Sequence, residues 1–372
     1  MSSLIDQYSV TKSIFVSVLY VAAIYTSNVY LKHFHFKKSV KSTRKKSDNC
    51  KNKKQDEKSE LEVDSDSEEE QNEDNKLKRD NPIVIRSRMK FVSFAIAIIL
   101  LTMYSTHGDW KQLIGAQYYV LKSQSQSVVV TTTWTKYLGQ VFQLVGVYLI
   151  LYSSQIVDTF LFNKIVIHAG ASSENSTPNT YTSSSFSFFS LKFFFQLFEK
   201  LDVWDFRNLI FAPFTEELVF TAIILYNYKL QNSWWLSLYF GIPHLHHAWE
   251  LIQEMDSNPN YTIGSIFANC FLQFCYTSLF GHINNVIYLK TKQNLACCFV
   301  SHSICNYMGF PNLVPLFSIE PGVTTNSSAN HSAATIDQQK KVQKQQLNKL
   351  YKYMYWSLMI FGLIQYIKYL TH

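Results

Sequence analysis

Apolar runs long enough to cross a bilayer alternate along this chain with charged or Ser/Thr-rich stretches. Residues 14–31 form the first run and approach the roughly 20 residues that a helical span needs. Residues 32–78 are dense in charge and poor in aromatics, so they bury too little apolar surface to offset the entropy of ordering and are expected to be disordered. Residues 91–104 read as a second span, short for a full crossing, and 137–157 as a third. Residues 171–185 are rich in Ser, Thr and Asn and read as a loop. Residues 186–198 carry many Phe and one Lys, and fit either a span or a helix lying in the interface. From Arg207 the pattern predicts helices over 208–228, 233–250, 263–280 and 282–310, the last with a break near 290–294. Residues 321–349 are polar again and 356–370 read as the last span.

Backbone groups in lipid must be satisfied within the segment. The pattern therefore predicts an all-α, polytopic helical bundle of roughly eight transmembrane helices. Its expected organisation is a first span (1–31), a charged cytosolic loop (32–90), helices with a polar loop (91–200), a membrane core carrying the chemistry (201–312), and a polar loop with the last span (313–372).

Mean hydropathy near zero would suit a soluble protein, but it averages the charged first loop with an apolar remainder. Aromatics make up 16% of the 372 residues, a level that suits membrane interfaces. The net charge of +7 is modest, and its distribution is more informative than its sum. A basic run over 37–54 is followed by an acidic run over 56–74, beside a span, which speaks against nucleic-acid binding. Lys32, Lys37, Lys38, Lys41 and Arg44 follow the first span and put the first loop in the cytosol and the N-terminus in the lumen. Ser65 and Ser67 each have a glutamate three residues on, which fits a kinase site or a plain solvating tether. Cys270, Cys275, Cys297, Cys298 and Cys305 lie in apolar segments without disulfide or zinc-module spacing, and read as buried reduced thiols. The N-terminus lacks a small-residue cleavage site, so a retained span is expected.

Three clusters carry candidate chemistry. Glu216 and Glu217 sit side by side within the apolar run 206–225, where each charge costs at least ~2.5 kcal/mol on insertion scales. Either they face a polar interior and pair with a cation such as Arg207, or one is a general base tuned by low dielectric and its neighbour. Successive helical residues point about 100° apart, so at most one faces a given substrate and the other needs a structural partner. The second cluster is Phe240-Gly-Ile-Pro-His244-Leu-His246-His247. His244 and His247 share a face if a helix starts at Pro243, and could be zinc ligands or interface histidines; the H-E-x-x-H zinc signature is absent. In the third, His302 and Asn306 share a helix face as two hydrogen-bond donors, which suits an oxyanion or a helix–helix contact. Together these are the groups needed for attack of water on an amide. A zinc protease and a non-enzymatic scaffold or transporter remain as alternatives.

Glu216-Glu217, Phe240-x-x-x-His244 and His302-x-x-x-Asn306, in this order, resemble the motifs of the type II CAAX prenyl endopeptidases. The likeness extends through Arg207-Asn-Leu-Ile-Phe-Ala-Pro-Phe-Thr-Glu-Glu-Leu-Val-Phe220, Gln273-Phe-Cys-Tyr-Thr-Ser-Leu-Phe-Gly281 and His302-Ser-Ile-Cys-Asn-Tyr-Met-Gly-Phe-Pro311. It is strong over 207–311, patchy over 79–200 and absent from the first loop.

The resemblance implies a multi-pass endoplasmic-reticulum enzyme of the glutamate type, with no cofactor or metal, whose site is open to cytosolic substrates. Such enzymes remove the last three residues of farnesylated or geranylgeranylated C-a-a-X proteins, such as Ras-type small GTPases and prenylated peptide precursors. The implied partners are these substrates and the bilayer, with no nucleic acid. Glu216 matches the catalytic glutamate, His244 the histidine that helps hold the attacking water, and His302 with Asn306 the oxyanion donors. Glu217 and His247 would be supporting residues. The sequence departs from many members at Thr221, where they carry Arg four residues after the second glutamate. If that arginine pairs with the glutamate, another cation replaces it here, or Glu217 is protonated.

Overall fold

The computed structural model describes residues 2–31, 33, 81–107, 118–122, 127–131, 134–170, 202–231, 233–246, 248, 251–252, 255, 262–309, 311–312, 314–315 and 331–372. Ser65, Ser67, the loop expected over 171–185 and the Phe-rich stretch 186–198 lie outside these residues.

Helix dominates the described residues. The long helices are α1 (Ser2–Tyr30), α2 (Pro82–His107), α3 (Trp134–Leu151), α4 (Ser153–Gly170), α5 (Val203–Asn227), α6 (Ile263–Lys290), α7 (Leu295–Met308) and α8 (His331–Thr371). Three are long and apolar enough to cross a membrane: Tyr8–Tyr30 of α1, α5 and α6. The pair Thr135–Leu151 and Ser153–Leu161 passes the same test together but is bent by 59°, which makes four if it is one span. The expected count of roughly eight is therefore not reached among the described residues. One feature departs from the all-α expectation. Strands β1 (Tyr118–Lys122) and β2 (Ser127–Thr131) pair antiparallel, with Tyr118 opposite Thr131 and Lys122 opposite Ser127. Their Tyr-Tyr-Val-Leu and Val-Val-Val runs are β-formers, separated by a polar Ser/Gln link.

Contacts divide the chain into two compact units, residues 1–137 with 200–303, and residues 138–199 with 304–372. In the first unit, α1 buries Ser9, Ser13, Val16, Tyr20, Ala23 and Ser27, a stripe recurring every three or four residues. Ile14, Phe15, Val18 and Val29 of the same helix are exposed, as expected of side chains that meet lipid. Small polar groups join α1 to its neighbours. The Ser27 hydroxyl donates to Ser87 of α2 at 2.8 Å, Ser9 donates to the Asn227 carbonyl at 2.8 Å, and the Tyr20 and Thr215 hydroxyls bond at 3.0 Å. Helix α2 starts at Pro82, before the expected 91. Asn81 accepts the Ile83 amide at 2.9 Å, and Pro82 suits a first helical position.

The break expected near 290–294 falls at residues 291–294, between α6 and α7. Lys292 and Gln293 adopt φ of 56° and 67°, which turns the chain, and Asn294 fixes the turn by donating to the Tyr137 carbonyl at 3.0 Å.

In the second unit, α8 closes on α3 at Gly362. A Cβ there would stand 2.6 Å from the Ile150 carbonyl oxygen, so only glycine permits the approach. Tyrosines hold this unit together. Tyr351 donates to Asp158 at 2.7 Å, the Tyr148 and Tyr366 hydroxyls bond at 2.9 Å, and Tyr152 donates to the Gly309 carbonyl at 3.0 Å.

Candidate active site

Helix α5 changes pitch along its length. The Asp202 carboxylate caps its start by accepting the Asp205 amide at 2.8 Å. A π-helical stretch Arg207–Phe211 gives way to α-helix at Ala212–Glu216, and a second π-helical stretch runs over Glu217–Ile223. The change of pitch falls between the two glutamates. π-Helical insertions are rare and frequently mark functional sites, because they re-aim side chains along an otherwise regular helix.

Pro213 adds a second local effect. It has no N–H to donate to the Leu209 carbonyl four residues back. That oxygen accepts the Ser303 hydroxyl of α7 at 2.8 Å. The link pins α7 to α5 one residue past His302.

The two carboxylates then differ sharply. Glu217 is 0% exposed. Its Oε1 stands 2.8 Å from His302 Nδ1, and its Oε2 accepts the Thr221 hydroxyl at 2.7 Å. Glu216 remains 19% exposed, with its Oε2 at 3.9 Å from His302 Nε2 and 4.0 Å from His244 Nε2. Both distances exceed a direct hydrogen bond and are short enough for a shared small molecule.

The imidazoles are oriented by their other nitrogens. His244 Nδ1 lies 2.8 Å from the Phe240 carbonyl, an acceptor, so Nδ1 carries a proton and Nε2 is the nitrogen that faces Glu216. The same logic puts a proton on His302 Nδ1, facing Glu217. Phe240, 2% exposed, stacks on the His244 ring at 5.5 Å and lies 5.7 Å from the His302 ring, while Phe280 meets His302 edge-on at 4.9 Å. Gly281 makes room for Phe240, since a Cβ there would stand 2.7 Å from the Phe240 Cβ. Behind His302, the Ser301 hydroxyl donates to the Asn284 side chain at 2.7 Å and ties α7 to α6.

Four of the expected site residues therefore converge: Glu216, Glu217, His244 and His302. Asn306 follows His302 by four residues on α7, exposed and within the second unit. His247 lies outside the described residues. His246 is taken up locally, with Nδ1 at 2.5 Å from the Pro243 carbonyl. Arg207, a candidate partner for the glutamates, donates to Asn208 at 2.9 Å and sits over the Trp204 ring at 5.9 Å. Among the described residues, no group of three or more His, Cys, Asp or Glu is arranged to hold a metal ion.

Sequence reasoning did not find the parts played by Thr221, Phe240, Phe280 and Ser303. For Thr221 the signal was available: it stands four residues after Glu217, on the same helix face. Phe240 stands four before His244 in the same way. Phe280 and Ser303 needed the packing of α6 and α7.

Residues 201–308 match the family model described as type II CAAX prenyl endopeptidase Rce1-like. The chain is 29% identical over 259 residues to CAAX prenyl protease 2 of Saccharomyces cerevisiae, covering 63% of this chain and 72% of that protein. It is 38% identical over 112 residues to CAAX prenyl protease 2 of Homo sapiens, covering 28% of this chain and 32% of that protein. It is 33% identical over 113 residues to a probable CAAX prenyl protease 2 of Schizosaccharomyces pombe, of which it spans 40%. No solved structure matches. The resemblance read from the motifs is borne out over residues 201–308.

Proposed function

Since residues 201–308 resemble the type II CAAX prenyl endopeptidases, we propose that this chain is a membrane endopeptidase that removes the last three residues of farnesylated or geranylgeranylated C-a-a-X proteins. The observation that supports it best is the convergence of Glu216, His244 and His302, with Glu216 partly open and Glu217 shut away behind His302.

Glu216 is the general base in this reading. A water between Glu216 Oε2 and His244 Nε2 meets two acceptors, gives one hydrogen to each, and keeps a lone pair for attack. As that lone pair attacks the carbonyl after the prenylated cysteine, the water proton passes to Glu216, which returns it to the leaving amine. Negative charge collects on the former carbonyl oxygen. His302, protonated at both nitrogens, gives Nδ1–H to Glu217 and Nε2–H to that oxygen; a second donor in the role of Asn306 is what the family resemblance implies. Glu217 balances the imidazolium, so His302 itself is the cation that this glutamate requires.

The prenyl chain reaches the site from the lipid. A path through water would forfeit roughly 0.8 kcal/mol per CH₂-sized unit. The endoplasmic-reticulum membrane, a site open to the cytosol and Ras-type substrates are part of this proposal, carried over from the family resemblance.

The test is cleavage by membranes containing this chain. A farnesylated C-a-a-X peptide should yield its last three residues as an intact tripeptide, also in strong chelator, while the unprenylated peptide is spared. No tripeptide from the farnesylated peptide would overturn the reading.

A further inference from the structure

We infer that Thr221 is a positioning residue of this site: its hydroxyl, bonded to Glu217, holds that carboxylate against His302 and so sets which ring nitrogen of His302 faces Glu216.

Helical threonines ordinarily turn the hydroxyl onto the backbone carbonyl four residues back. In this chain Thr26 donates to the Ala22 carbonyl at 2.8 Å, Thr215 to that of Phe211 at 2.9 Å, Thr277 to that of Gln273 at 2.7 Å and Thr291 to that of Ile287 at 2.7 Å. The residue four before Thr221 is Glu217, and here the hydroxyl bonds the side-chain Oε2 rather than the main chain, at 2.7 Å. Both residues are 0% exposed and lie in the π-helical stretch Glu217–Ile223.

The geometry has a direct consequence for His302. A carboxylate closed off from water needs donors on both oxygens, because a buried charge short of a hydrogen bond is costly. Thr221 serves Oε2 from within the same helix, independently of α7. The other oxygen, Oε1, is thereby left aimed at His302 Nδ1, 2.8 Å away. With Nδ1–H committed there, Nε2 is the nitrogen that stands 3.9 Å from Glu216. Without the hydroxyl, Glu217 can rotate in search of a second donor, and the His302 ring loses its fixed partner. Thr221 touches neither substrate nor reacting atoms in this scheme. It acts through two side chains.

The activity arm of the test rests on the proposed peptidase reading; a spectroscopic arm does not. Thr221→Val keeps the shape and removes the hydroxyl, and Thr221→Ser keeps the hydroxyl. In the cleavage assay Val should lower kcat roughly 10–100-fold, the range for groups that orient a functional histidine, with KM little changed. Ser should restore most of the rate. If Val does not accumulate in membranes, Thr221→Ala takes its place. In parallel, ¹⁵N-histidine spectra of the detergent-solubilised protein identify His302 by the signal lost in His302→Gln. That signal should show a hydrogen-bonded Nδ1–H in the wild type and in Thr221→Ser, and a shifted or weakened Nδ1–H in Thr221→Val. An unchanged His302 signal in Val overturns the inference even if activity falls, because the loss is then merely structural. Unchanged kcat in Val overturns it too. If the wild type cleaves no prenylated peptide, the peptidase reading fails alone, and the spectra decide on Thr221.

Discussion

Two buried carboxylates, one in each unit, sit in contrasting surroundings. Asp158 on α4 is 1% exposed and receives the hydroxyl of Tyr351 at 2.7 Å. Glu217 on α5 is 0% exposed and receives a hydroxyl too, that of Thr221. At Asp158 the described partner is a phenol, and neighbouring phenols bond one another and main-chain carbonyls. At Glu217 the other oxygen meets an imidazole, whose far nitrogen looks toward a second carboxylate, Glu216, that is still open. Burying a charge is thus not enough to mark a site. A site needs a chain of titratable groups running from the closed end to an accessible one.

Breaking that chain at its buried end should have a large effect. His302→Gln keeps a polar side chain but removes the ring, leaving Glu217 with a neutral partner in place of the imidazole. Cleavage of the farnesylated peptide should fall roughly 10²–10³-fold, the cost of losing a strong oxyanion donor, while the protein still accumulates in membranes. A rate within tenfold of wild type would erase the distinction between the two carboxylates.

A smaller effect should follow from disturbing the aromatic wall. Gly281→Ala would drive a methyl group to 2.7 Å from Phe240 Cβ, so the ring that flanks both imidazoles must shift. Overpacking of this kind costs about 1–3 kcal/mol. Heat resistance in detergent and kcat should both drop, and a variant as stable and as fast as wild type would show that the wall yields freely.

On the structural side, Tyr351→Phe leaves Asp158 short of a donor. It should lower stability by about 1–3 kcal/mol and leave cleavage per folded molecule unchanged. A selective loss of kcat would give Asp158 a part in the chemistry. The smallest effect is expected from deleting residues 45–75 of the first loop, which has no apolar face to pack. Complete loss of cleavage in a stable, correctly inserted deletion protein would show that the catalytic core is larger than residues 207–311.

The sequence made the site legible where burial is expensive. Two adjacent glutamates in an apolar run call for a reason, and their roughly 100° separation already required one exposed role and one supported role, which is how Glu216 and Glu217 sit. The turn between α6 and α7 was legible from its polar residues. The spacing of Thr221 after Glu217 was legible too, but its hydroxyl's choice of the carboxylate over the main chain was not. The π-helical pitch around Glu216 and Glu217 leaves no local pattern, since packing rather than propensity decides it. Fixing Leu209 to Ser303 depends on two segments distant in sequence. The β1–β2 hairpin did have a signal, in its Val-Val-Val and Tyr-Tyr-Val-Leu runs, but helix periodicity elsewhere overshadowed it.

The most direct measurement sets Glu216→Gln beside Asp158→Asn in one single-turnover assay with a farnesylated C-a-a-X peptide. Both changes neutralise one carboxylate with little change of shape. Glu216→Gln should slow tripeptide release by roughly 10²–10⁴-fold, as loss of a general base does, and Asp158→Asn should leave the rate constant of the folded protein near wild type. Release by Glu216→Gln above about a tenth of the wild-type rate would contradict the account.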